Sequence, residues 1–118
     1  MTNRLEESDP LSAVEFQVLL VLADGPSYGY AIMKAVEEQS DGRMRPEIGS
    51  LYRVLSRLMS RSLVSERSAP RGSPNTNRGL PRKYYGLTPA GSRVAKEEAA
   101  HLAGLVALAK SRNLLPGG

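Results

Sequence analysis

The stretch Ile48-Gly49-Ser50-Leu51-Tyr52-Arg53-Val54-Leu55-Ser56-Arg57-Leu58-Met59-Ser60-Arg61 sorts into two faces when wound at about 3.6 residues per turn. Leu51, Leu55, Leu58 and Met59 fall on one side. Ser50, Arg53, Arg57 and Arg61 recur at three- and four-residue steps nearly opposite. This segment is expected to be an amphipathic helix over about Ile48 to Arg61, with a basic polar face that carries no acid. Its neighbours decide what such a helix is for.

Upstream, Ser12-Ala13-Val14-Glu15 has the form of a capping box, with Ser12 accepting from the Glu15 N–H and Glu15 reaching back. The run Phe16 to Ala23 behind it is apolar almost all round, as in a buried helix, and Asp24-Gly25-Pro26 stops it. Ser27 is a candidate N-cap for a second helix over about Tyr28 to Gln39. Its inner face is Ile32, Ala35 and Val36, with Lys34, Glu37 and Glu38 outward. Downstream, Leu63 to Arg67 and Arg82 to Leu87 read as two strands. The Pro- and Gly-rich stretch Ser68 to Pro81 between them is too polar to bury anything and is expected to be a mobile loop. Period-two alternation through Tyr84-Tyr85 sends one ring inward and one outward. Thr88-Pro89 then starts a last helix running to about Asn113, on the N-cap and first-turn preferences of these two residues. Such a helix is longer than a small domain needs for its own core. Leu102, Leu105, Val106 and Ala109 form its apolar stripe, with Val94 extending it, and a protruding stripe of this kind is expected to be a subunit interface.

The order helix, helix, helix, strand, basic loop, strand, long helix predicts an α+β, mostly α fold: a winged helix-turn-helix with a C-terminal dimerisation helix. The corresponding division is an N-terminal arm over 1–10, a winged-helix domain over 11–88, a dimerisation helix over 89–113 and a tail over 114–118. There is no internal repeat.

Charge supports a polyanionic partner. The chain has 118 residues and a net charge of +4. Met1 to Gly42 carries two basic residues and eight acidic ones, whereas Arg43 to Lys83 carries ten basic residues against Glu47 and Glu66. A central block this lopsided, nearly all Arg, is the footprint expected of a protein that grips phosphate and guanine edges. In a helix-turn-helix the N-terminal part of the recognition helix meets the bases. Here Gly49 admits a phosphate close to the backbone, Ser50 can meet phosphate or base, Arg53 can reach guanine O6 and N7, and Arg57 can follow the groove. The wing residues Arg71, Arg78, Arg82 and Lys83 would hold the backbone or minor groove. Tyr52 is either core with its hydroxyl at the rim or a phosphate contact. Of Tyr28 and Tyr30, one is expected in the core and the other on a phosphate.

Other classes fare worse. The chain has no Cys, no Trp and one His, which removes thiol chemistry and leaves no zinc cluster or His-centred catalysis to expect. Glu37-Glu38 and Glu97-Glu98 are helix neighbours diverging by about 100°, unsuited to paired-carboxylate catalysis. The glycines fit neither the Walker nor the dinucleotide pattern, so neither an enzyme nor a cofactor is expected. No apolar run approaches a membrane span and the start lacks a signal-peptide core, which predicts a cytoplasmic protein. The alternative from another class is a winged helix that docks on a protein partner, which salt would separate from phosphate binding.

Three stretches carry a family resemblance. Leu19-Leu20-Val21-Leu22-Ala23-Asp24-Gly25-Pro26-Ser27-Tyr28-Gly29-Tyr30, then Gly49 to Leu58, then Arg82-Lys83-Tyr84-Tyr85-Gly86-Leu87-Thr88-Pro89-Ala90-Gly91 resemble the signature segments of PadR-family regulators, over about Leu11 to Val94. The resemblance implies a transcriptional repressor that dimerises through its C-terminal helix, binds a pseudo-palindromic duplex and releases it on a cue, which leaves room for a small-molecule effector. The single tail helix is that of the short members. Where the family has a Ser or Thr cap and a Pro at the start of the recognition helix, Glu47 and Ile48 stand here.

Overall fold

In the computed structural model, which describes residues 9–72, 76–77 and 80–116, the elements follow one another as α1 (Ala13–Ala23), β1 (Ser27–Tyr28), α2 (Gly29–Gln39), α3 (Ile48–Ser60), β2 (Val64–Arg67), β3 (Thr76–Asn77), β4 (Leu80–Pro81), β5 (Tyr84–Leu87) and α4 (Pro89–Ser111). The winged helix-turn-helix expected from the element order is the fold the chain has.

α1 starts on the complete capping box. Ser12 Oγ accepts from Glu15 N at 3.2 Å, and Glu15 Oε1 accepts from Ser12 N at 2.8 Å. Gly25, at φ 135°, ends the turn after α1 in a conformation that only glycine adopts without strain. The core is aliphatic. Val18 and Leu19 of α1, Ile32 and Val36 of α2, and Leu51, Val54, Leu55 and Leu58 of α3 close on one another and on Leu63, Val64 and Tyr85.

Three features depart from the sequence expectation. Ser27 does not cap α2; with Tyr28 it forms β1, and the helix begins at Gly29 with no side-chain cap. β1 pairs antiparallel with β5 (Ser27 opposite Tyr85, Tyr28 opposite Tyr84), which makes β5 the centre of a three-stranded sheet with β2 on its other edge. Tyr84 and Tyr85 are both buried, against the expectation of one inward and one outward ring: Tyr85 joins the domain core, and Tyr84 packs against the Tyr28 ring of the neighbouring strand. The stretch expected as a loop contains a two-stranded ladder, Thr76 opposite Pro81 and Asn77 opposite Leu80.

The tail helix is anchored at one end. Thr88 N donates to Leu63 O at 3.1 Å, Thr88 Oγ1 donates to Ser62 O at 2.6 Å, and Gly91 N donates to Thr88 Oγ1 at 3.0 Å. Gly91 is buried where any Cβ would overlap the Leu63 carbonyl. The end of α3 and the start of α4 are therefore one joint. Val94 packs on the domain's own core, whereas the helix beyond it runs out into solvent. The helix ends at Ser111, with Asn113 left-handed at φ 62° and Leu114 N closing back on Ala109 O at 2.9 Å. Among the described residues no helix is long and apolar enough to cross a membrane.

Candidate nucleic-acid interface

α3 buries Leu51, Val54, Leu55 and Leu58 and leaves Gly49, Tyr52, Arg53, Ser56 and Arg57 exposed, with Ser50 half-buried. The helix thus lies on the domain by its apolar side and turns its N-terminal polar side outward. A Cβ at Gly49 would meet nothing within 4 Å, so this backbone is open to a close approach. The side chain of Glu47, the N-cap, makes no capping hydrogen bond. The N-cap therefore leaves the first N–H groups of α3 without a capping carboxylate. Arg53 Nη2 donates to Ser50 Oγ at 3.0 Å, which aligns the two expected reading residues as one unit at the helix start.

The basic stripe divides further along. Arg57 Nε donates to Glu15 Oε2 at 3.1 Å, and Arg61 Nη2 donates to Asp9 O at 3.0 Å. Both point back toward the start of α1. Glu15 is 6% exposed. Burial alone would raise its pKa, but the Ser12 N–H, the Arg57 hydrogen bond and the charges of Arg57 and Arg61 outweigh that and hold it below the ordinary 4.5. Arg57, expected simply to follow the groove, is therefore also a strut between α3 and α1. The helix wheel of α3 holds no acid; the acid comes from another helix, and only the fold brings it near. The capping box was the visible sign of Glu15, but its second oxygen had no assigned partner.

The other expected residues gather at the base of the wing. Tyr28 and Tyr52, together with Arg82 and Lys83, line one open cleft of about 460 Å³ against Tyr30, Ser56, Glu66 and Tyr85. The Arg82 guanidinium sits over the Tyr28 ring at 4.0 Å, and Tyr28 meets Tyr84 edge-on at 5.5 Å between centroids. Arg82 Nε is buried without a hydrogen-bond partner. Lys83 Nζ lies 3.8 Å from Glu66 Oε2, a surface pair of little energetic weight. Tyr52 is 43% exposed, and its hydroxyl rests against the start of α2, where a Cβ on Gly29 would come within 2.6 Å of it. Burial raises the pKa of Tyr85, with Tyr52 and Glu66 adding to it. Tyr28 is half-buried and Tyr30 exposed. Arg71 is exposed and is not among the residues lining the cleft, and Arg78 lies outside the described residues. Ser56 is a cleft residue for which the sequence carried no signal.

The sequence profile described as the transcriptional regulator PadR-like family matches residues 18–97. The chain belongs to the PadR-like family. It is thereby a transcriptional regulator. Over 88 residues it is 42% identical to an uncharacterized 37.1 kDa protein in transposon TN4556 of Streptomyces fradiae, covering 75% of this chain and 22% of that one. The chain spans about a fifth of that relative's length. A PadR-family transcriptional regulator from Eggerthella lenta is 30% identical, superposes with a TM-score of 0.58, and is matched over 85% of this chain and 82% of its own. The Bacillus subtilis PadR in complex with operator DNA shares the fold at 21% identity, with a TM-score of 0.61, over 76% of this chain and 48% of that one.

Proposed function

We propose that this PadR-like regulator binds duplex DNA sequence-specifically as a homodimer, acting as a repressor on a pseudo-palindromic operator. The observation that carries the reading is the outward N-terminal side of α3, where Arg53 and Ser50 are joined by a hydrogen bond and the first turn itself holds no acid, Glu47 standing just before it as the N-cap. An Arg in that place suits the bidentate contact to guanine in the major groove. Gly49 and the uncapped start of α3 take a phosphate, and Tyr28, Tyr52, Arg82 and Lys83 take the backbone beside it. Arg71 and Arg78 on the wing add anchoring charge. Arg57 keeps α3 in register through Glu15 while its exposed side meets the DNA.

The dimer forms through the free part of α4. Leu105 and Val106 are 48% and 45% exposed, and Leu102 and Ala109 are half-buried on the same side. Leaving the large side chains in water would forfeit about 1.5–3 kcal/mol for each that could otherwise be fully buried. A second copy covers them, and the two α3 helices then address half-sites about 10 bp apart. The test is selection from a pool of random duplexes with the full chain. The expected winners are two-fold symmetric sequences with that spacing; enrichment of no sequence over the starting pool would overturn the reading.

A further inference from the structure

α4 carries its charges in a pattern that fixes how two copies can meet. Gly91, Ala95, Glu98, Leu102, Leu105, Ala109 and Arg112 follow one another at alternating steps of four and three, which places them along one seam of the helix. The first two pack on the domain itself, Gly91 against Leu63 and Ala95 against the core. The seam then runs out along the free helix. Its apolar segment lies between Glu98 on one side and Arg112 on the other, each seven residues from Leu105. Val106 and Leu108, both 45% exposed, flank the same segment. Among the described residues, neither Glu98 nor Arg112 forms a salt bridge within the chain.

Two copies that bury this segment against each other can do so in two ways. With the helices parallel, Glu98 faces Glu98 of the partner subunit, and Arg112 faces Arg112 of the partner subunit. Two like-charge contacts then stand at the ends of an apolar interface. With the helices antiparallel, stacking apolar segment on apolar segment puts the two-fold axis beside Leu105. Glu98 then lies about 10 Å to one side of that axis, and Arg112 of the partner subunit lies level with it. The same holds at the other end by symmetry.

From this charge complementarity we propose that the α4 helices pair antiparallel about a two-fold axis at Leu105, closed at both ends by an ion pair between Glu98 and Arg112 of the partner subunit. The inference rests on the homodimer read above and adds its direction and register. Each pair borders the apolar seam, where partial desolvation strengthens it over a fully exposed pair. The apolar area supplies the affinity, and the charges choose the alignment.

Charge reversal in the full chain separates the outcomes. In the antiparallel dimer, Glu98→Arg sets arginine against arginine at both ends, and Arg112→Glu sets glutamate against glutamate. Each single variant is expected to weaken the dimer roughly tenfold, and the double variant to return close to the wild-type dissociation constant. Simple net-charge repulsion between cationic subunits predicts opposite effects for the two singles, weakening for the first and strengthening for the second. Sedimentation equilibrium of wild type, both singles and the double gives the four constants, with helix content checked by circular dichroism. A wild type that dimerises while both singles dimerise equally well, or a double no tighter than the singles, overturns the antiparallel register alone. A monomeric wild type overturns the dimer and the register together.

Discussion

Arg57 of α3 and Glu15 of α1 are bonded at 3.1 Å, and the other oxygen of the same carboxylate caps its own helix by accepting from Ser12 N. One acid thus terminates α1 and locks α3 against it. The Arg57 side chain remains 56% exposed, so the strut holds a helix whose outer side stays open. Glu15→Gln keeps an acceptor for the cap and loses the charge. It is expected to cost about 1–2 kcal/mol near neutral pH, since a charge-assisted hydrogen bond is replaced by a neutral one. Urea unfolding measures this.

The same pair sets a pH dependence. The folded-state pKa of Glu15 is depressed, so its contribution is complete above the ordinary 4.5 and is lost as pH falls through that value toward the folded one. The wild type should therefore lose stability below pH 4.5 more steeply than Glu15→Gln, and their unfolding midpoints should converge in acid. Parallel curves down to pH 3 would contradict the pairing.

At the joint between reader and tail, Gly91→Ala would drive a methyl group into the Leu63 carbonyl. Neither backbone can yield without breaking the bonds of Thr88 to Leu63 and Ser62, so a loss of about 3 kcal/mol is expected. Gly104 is the control, because a Cβ there meets nothing within 4 Å. Gly104→Ala should stabilise by up to about 1 kcal/mol through helix propensity. Thermal unfolding of the two variants should move in opposite directions.

Ser62 closes α3 at φ 61°, with Leu63 N bonded to Leu58 O at 2.9 Å. Its backbone N–H donates to Met59 O at 2.9 Å and its carbonyl accepts from Thr88 Oγ1, bonds that a glycine keeps. Ser62→Gly relieves the left-handed strain, in part offset by the freedom glycine has when unfolded. A gain of about 0.5–1 kcal/mol, seen as a rise of a few degrees in Tm, is expected.

Division of labour on DNA is open to mutation. Arg53→Ala should cost about 1–3 kcal/mol and relax preference at one base pair of the selected duplex. Arg71→Ala should weaken binding evenly across sequences, because a backbone contact carries no sequence information. Competition titrations with single-base variants distinguish the two; identical profiles would remove Arg53 from the reading role.

Much of this was legible in the chain. α1, α3 and α4 announce themselves by caps and apolar period, and Leu51, Leu55 and Leu58 are buried as their spacing requires. What was not legible depends on long-range pairing. A two-residue strand such as Ser27–Tyr28 leaves no periodicity, and it exists because β5 offers it an edge. Its presence buries Tyr84, which alternation could not foretell. The partner of Arg57 stands 42 positions away on another helix, so no local pattern could supply it. The candidates at the start of α3 and at the wing base were nameable by charge and position, but the gathering of Tyr52, Arg82 and Lys83 into one cleft with Tyr28 was not.

The most direct test is the salt dependence of affinity for a duplex recovered by selection, measured by fluorescence anisotropy between about 50 and 200 mM monovalent salt. A dimer neutralising several phosphates should show the logarithm of its affinity falling linearly with the logarithm of salt, with a slope near −0.9 for each phosphate contacted. Binding should weaken by about 10³-fold or more across that range if six or more contacts form. An affinity that stays flat with salt would contradict the account and favour a face that docks on a protein.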